Sequence, residues 1–421
     1  MSEKTILIWF RNDLRIHDNE VLIEAVNRAG RILPVYCFDP RYFTETSYGT
    51  LRSGYYRTKF LLESVESLRE AFRERGGNLI IRIGKPEDIL PELCKQYGIS
   101  EVYHHREVAN EETEISAHVE DALWKMKINL KHFIGHTMFH KQDLPFPIKN
   151  IPNDFLIFKK KIERESIVRR GFESPDKLEV PLDVEWGPLP LMENLGISSA
   201  TDIESDLLYT GGEKKALEIM NQLLEMPFSD FGVLNPNKCN SAVLSPWLSL
   251  GCLSPRLVYW KVKEKLPPKS DLSIKIIIEL QWRDFNRFML KKHGPVLEMS
   301  SKKLKPAEKL KFINWKEGHT GELLVDACMQ QLNATGYINS ICKSFVSAYL
   351  IKKLKVQWPA GSAYFEEKAI DFSPAIDWGN WAIACGVIAY GKYANPAKEE
   401  VIEDQHIKNR LIYLQEHNKS A

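Results

Sequence analysis

Hydrophobic positions along this chain follow two rhythms, and the change from one to the other divides it. From Thr5 to about residue 134, short runs rich in β-branched and aromatic residues alternate with stretches of helical periodicity. Thr5–Phe10, Arg31–Phe38, Asn78–Ile83, Glu101–His105 and Asn129–Ile134 read as strands, and helices are predicted to start near Asp18, Arg57, Pro86 and Asn110. That alternation predicts a parallel sheet covered by helices on both faces. Between residues 135 and 210 the rhythm breaks. Prolines from Pro145 to Pro190, with Gly171, Gly187 and Gly196, predict a long connector holding one helical piece over Asp154–Val168. From Gly211 a helical period runs nearly to the end: Gly211-Gly212 opens a helix over Glu213–Glu225, and Ser254-Pro255 offers an N-cap and a first-turn proline for the next. The expected fold is α/β plus all-α, with a doubly wound parallel-sheet domain over 1–134, a connector over 135–210 and a helical domain over 211–421.

Composition narrows what these domains can do. The net charge of the 421 residues is +1, so nucleic-acid binding requires a local basic patch. Lys159-Lys160-Lys161, Arg169-Arg170 and the lysines of 302–316 are candidates, each equally readable as a solvated surface. The seven cysteines include no C-x-x-C pair, which points to a reducing compartment and gives no metal-site spacing. No apolar run reaches membrane length, and Met1-Ser2-Glu3-Lys4 leads straight into the first strand, so a cytoplasmic protein is expected. No G-x-G-x-x-G follows that strand, which excludes the ordinary dinucleotide fingerprint.

The chemistry gathers on the stretch Glu279–Met289. Read as a helix, Glu279, Trp282, Arg283 and Asn286 fall at i, i+3, i+4 and i+7 and share one face. An acid beside an indole suits a flat heterocycle, and a fixed guanidinium suits a cofactor's ring or phosphates. A polar surface helix is the plainer alternative. Ser241-Ala242-Val243-Leu244-Ser245 adds small side chains and backbone N–H groups near a helix start, a seat for an anion.

The helix at Glu279, together with Ile6–Arg15, Phe60–Val65, Gly84–Leu90, Asp143–Phe146, Leu244–Arg256 and Trp378-Gly379-Asn380-Trp381, resembles the photolyases and cryptochromes, and most of all the DASH type. The resemblance covers nearly the whole chain. It implies a light-harvesting N-terminal domain, able to hold an antenna such as methenyltetrahydrofolate, followed by a helical FAD-binding domain. It also implies DNA as partner, with damaged pyrimidines in single-stranded or locally unpaired form; a signalling partner is not readable from it. Glu279 and Trp282 match the lesion-pocket acid and aromatic wall, and Asn339 an amide near both flavin and substrate. Ser241, Ala242, Val243, Leu244 and Ser245 match the loop at the flavin phosphates. Arg283 and Asn286 lie on the cofactor side, and Asp371 matches the acid at the isoalloxazine edge. Trp381 and Trp358 match the inner and middle tryptophans of an electron relay, while the outer one, expected near Lys305, is missing unless Trp315 or Trp378 replaces it.

Several cofactor-site positions depart from the family pattern. Phe228 replaces a Tyr, and Phe231-Gly232-Val233-Leu234 a Thr-Arg-Asn-Gly run. Ser340 and Cys342 stand where two arginines are usual, removing both positive charges beside the flavin-site acid, and Ser373 replaces a second Asp. Asp377 occupies the place beside flavin N5 that is Asn in photolyases and Asp in plant cryptochromes. A buried acid of raised pKa there can give a proton to a photoreduced flavin and favour its neutral radical. Three readings therefore stay open: light-driven repair of cyclobutane pyrimidine dimers, a blue-light sensor without repair, and a divergent member that has lost FAD.

Overall fold

The computed structural model describes residues 4–198, 209–225, 241–294, 303–386, 398–402 and 404–417. Five parallel strands form one sheet in the order β3-β2-β1-β4-β5: β1 (Thr5–Phe10), β2 (Arg31–Phe38), β3 (Ile80–Ile83), β4 (Glu101–His105) and β5 (Asn129–Phe133). Helices α1 (Glu20–Arg28), α2 (Tyr55–Arg73), α3 (Pro86–Tyr97) and α4 (Asn110–Lys125) alternate with them. Every residue of β1 is buried, because alternate side chains enter two different cores. Ile6, Ile8 and Phe10 join the core shared with α1, α2 and the helical part, whereas Leu7 and Trp9 pack towards α3 and α4.

Element boundaries differ from the sequence reading by a few residues, each for a local reason. The third strand starts at Ile80, where pairing with Val35 begins, because the Asn78 side chain is taken by Arg69 Nε and the Leu79 N–H. The first helix starts at Glu20 behind the Asn19 N-cap, since Asp18 has a left-handed φ of 46° and spends its carboxylate on distant partners. Gly54 starts α2 earlier than expected, at Tyr55. In the connector, α5 (Phe155–Glu165) is shorter than the predicted piece, capped by Asp154 and ended at Ser166.

The helical part contains α6 (Glu213–Glu225), α7 (Ser245–Ser249), α8 (Pro255–Lys265), α9 (Asp271–His293), α10 (Pro306–Glu317), α11 (Leu323–Thr335), α12 (Ser340–Ala348), α13 (Trp358–Lys368), α14 (Pro374–Ala384), α15 (Lys398–Ile402) and α16 (Gln405–His417). Ser254 caps α8 as the sequence predicts, accepting from the Arg256 and Leu257 N–H groups. The 23-residue α9 is capped by Ser270 and buries Leu280, Phe285, Phe288 and Leu290 in the large core. Between the carboxyl ends of β1 and β2 and the start of α14 lies a cleft of about 100 Å³, lined by Trp9, Arg11, Tyr36, Arg57 and Phe372. It sits beside the point where the strand order reverses, the usual location of ligand crevices in such sheets. Among the described residues no helix is long and apolar enough to cross a membrane.

Candidate functional site

The predicted face of α9 meets α14. Trp282 Nε1 donates to Asn380 Oδ1 at 3.0 Å, and Asn286 Nδ2 donates to the same oxygen at 3.4 Å. Gly379 allows this approach: a Cβ there would stand 2.5 Å from Asn286 Oδ1. The half-buried Trp282 ring also meets Phe155 edge-on at 4.8 Å, so its orientation is fixed from two sides. Glu279 is half-buried one turn earlier. Burial raises its carboxyl above the ordinary value, and Arg283 pulls the other way. Burial, reinforced by Arg287, lowers Arg283 to about 10, with Asp371, Asp284 and Asp377 opposing. Arg283 Nε is buried and has no hydrogen-bond partner among the described residues. An unmatched guanidinium N–H in a half-closed site costs free energy unless a ligand accepts from it.

A second group of predicted residues forms around Asp371. Ser245 Oγ donates to Asp371 Oδ2 at 2.8 Å, Ser249 Oγ donates to its backbone carbonyl at 2.8 Å, and Lys343 Nζ pairs with Oδ1. The Ser373 N–H donates to Asp377 Oδ2 at 2.8 Å. Asp377 is almost fully buried; burial raises its carboxyl to about 6, Lys343 pulling down and Asp371 pushing up. Lys343 corrects the expectation that positive charge is gone from this corner: Ser340 and Cys342 carry none, but the next residue reaches the acid.

Other predicted residues are placed differently. The Asn339 side chain is committed within the protein: Oδ1 accepts the Cys342 N–H at 2.8 Å and Nδ2 donates to Asp404 Oδ2 at 2.8 Å. Cys342 is fully buried, with its thiol against Cys328, which along with burial pushes it far up. Ser241, Ala242, Val243 and Leu244 form a 3₁₀ turn leading into α7. Phe228 and Phe231–Leu234 lie outside the described residues. Trp381 is buried against Phe365 at 5.3 Å, and Trp358 is half-buried three residues before Gly361, where a Cβ would stand 2.4 Å from the Trp381 ring. Trp315 stacks on Phe365 at 5.9 Å and is completely buried, and Trp378 is 8% exposed.

Acid, guanidinium, fixed indole and buried N–H groups without a partner among the described residues, including Trp378 Nε1, fit a flat heterocycle with a hydrogen-bonding edge such as a flavin. Residues 6–178 match the family model described as DNA photolyase, and residues 276–416 match the FAD binding domain of DNA photolyase. A cryptochrome DASH of Gloeobacter violaceus is 37% identical over 402 residues, spanning 92% of this chain and 80% of its own. The chain belongs to the photolyase/cryptochrome family. Another cryptochrome DASH, from Xenopus laevis, is 36% identical across 92% of this chain and 77% of its own. The crystal structure of a Synechocystis cryptochrome superposes with a TM-score of 0.87 at 31% identity, covering 97% of this chain and 88% of that one. FAD is thus the cofactor of the helical domain, and the family acts on DNA. The expected order of a photolyase-type α/β domain followed by a helical FAD-binding domain is what the chain has.

Proposed function

We propose that this chain repairs cyclobutane pyrimidine dimers in DNA by light-driven electron transfer, acting on single-stranded or locally unpaired lesions in the cytoplasm. In this reading residues 1–134 are the antenna-type unit, 135–210 the connector and 211–421 the flavin unit. Bound FAD supplies the light-driven electron and recovers it, so no net redox change results. The observation that carries the reading is the α9 face, where Glu279 and Trp282 remain half open beside the unmatched guanidinium of Arg283. Glu279, with its raised pKa, can hydrogen-bond a pyrimidine edge in either protonation state. Trp282, held by Asn380, offers a stacking wall of about 1–3 kcal/mol per base. Arg283, Asn286, Ser245, Asp371, Ser373 and Asp377 orient the cofactor, Asn339 and Cys342 set the start of α12 behind it, and Trp358 and Trp381 carry the relay. An antenna such as methenyltetrahydrofolate would be held between the sheet and the helical part.

Photorepair of a thymine-dimer oligonucleotide under blue light tests this. Glu279→Ala should lower the repair rate by about 10²-fold with FAD retained, whereas unchanged repair removes Glu279 from the lesion pocket. A sensor reading draws support from one observation, the buried Asp377 carboxyl beside Ser373 and Lys343, which burial raises to about 6. FAD photoreduction without dimer repair by the wild type would select it.

A further inference from the structure

Asp371 is buried, 7% exposed at its side chain, and both of its oxygens are engaged: Oδ1 by Lys343 Nζ and Oδ2 by Ser245 Oγ. The Lys343 side chain is only 12% exposed. Its backbone N–H donates to the Asn339 carbonyl in the first turn of α12, and the Asn339 side chain caps that turn, so the lysine leaves the helix at a fixed point. Facing Asp371 from the surrounding elements are Lys343 on α12, Ser245 on α7, Arg283 on α9, Asp377 on α14, and Tyr209 and Tyr337.

We propose that Lys343 is a positioning residue of the cofactor site, holding Asp371 as half of a neutral pair so that FAD enters a cavity without an uncompensated carboxylate. The proposal rests on the flavoprotein reading. A buried carboxylate stripped of its cation is strongly unfavourable. Arg283, which already faces Asp371, is then drawn towards it, and that diverts the guanidinium from the cofactor and weakens FAD binding. FAD also brings two phosphates, whose charge adds to that of an unpaired carboxylate.

FAD titration of the apoprotein, followed by flavin fluorescence, tests the proposal, with circular dichroism to confirm folding. Lys343→Met should weaken FAD on the order of tenfold. Lys343→Arg should stay within about threefold of wild type, and adding Asp371→Asn to Lys343→Met should recover most of the loss. Wild-type affinity in Lys343→Met, or a loss unrelieved by Asp371→Asn, overturns the proposal. If Lys343→Met alone does not fold, folding and near-normal binding of the double variant and of Lys343→Arg uphold it; failure of both sinks it. A wild-type chain that takes up no FAD overturns the flavoprotein reading itself, which the wild-type titration reports separately.

Discussion

At Asp377 a single carboxyl links stability to pH. Its folded pKa, raised from 3.8 to about 6, comes first from burial, with Lys343 opposing and Asp371 reinforcing. An acid with a raised folded pKa is least costly when both states hold the proton. Its stability contribution is complete below about pH 4 and is lost as pH climbs through about 6, by up to about 3 kcal/mol. Asparagine can still accept the Ser373 N–H without ever ionising. Asp377→Asn should therefore leave the urea midpoint of the apoprotein nearly unchanged at about pH 4 and raise it at about pH 8. A shift of the same size at both would show that Asp377 does not titrate in this window. At this scale the sequence was half legible. The identity of Asp377 signalled unusual protonation, but its burial and the lysine facing it depend on α12 and α14 packing together, which spacing does not record.

At the scale of the element, α9 serves three sets of partners. The i, i+3, i+4, i+7 pattern made the face of Glu279, Trp282, Arg283 and Asn286 readable, because the helical period alone groups those residues. The contacts of Asp284 and Arg287 were not readable. Asp284 accepts the Met138 N–H at 3.0 Å and the Phe139 N–H at 2.8 Å, and Arg287 pairs with Glu107 at 2.9 Å. Their partners lie well over a hundred residues earlier in the chain, and nothing local marks them. Asp284 is fully buried, and burial raises its carboxyl to about 7; it stays because it serves two backbone donors at the entry to the connector. Asp284→Ala should cost about 2–4 kcal/mol in chemical denaturation by leaving both N–H groups buried and unpaired. A loss below about 1 kcal/mol would mean that water or a relaxed backbone takes over the carboxylate's work.

Across the whole molecule, the fold class followed from the hydrophobic rhythm, while the joint between the two halves did not, since it is built from charges that look like surface residues in the sequence. Asp18, just before α1, receives Arg256 of α8 through Nε at 3.0 Å and Nη2 at 2.6 Å, together with the Ser254 hydroxyl. Glu213 at the start of α6 accepts the Ile16 and His17 N–H groups, and Arg15 reaches the Gly251 carbonyl. Asp18 and Arg256 are 3% and 6% exposed, so neither charge is screened by water. Two charges brought out of water into such a joint gain little over apolar packing, but removing only one strands the other. Arg256→Met should therefore destabilise the protein by about 3–5 kcal/mol, and adding Asp18→Asn should return part of that loss. Urea unfolding of the three proteins measures it, and an unchanged midpoint in Arg256→Met would show that the pair does not hold the halves together. The same joint places α7, with Ser245 and Ser249, directly behind the loop of Asp371. Loosening it should then weaken FAD binding in Arg256→Met even though Arg256 lies outside the flavin site, and unaltered affinity in a destabilised Arg256→Met would confine the joint to stability alone.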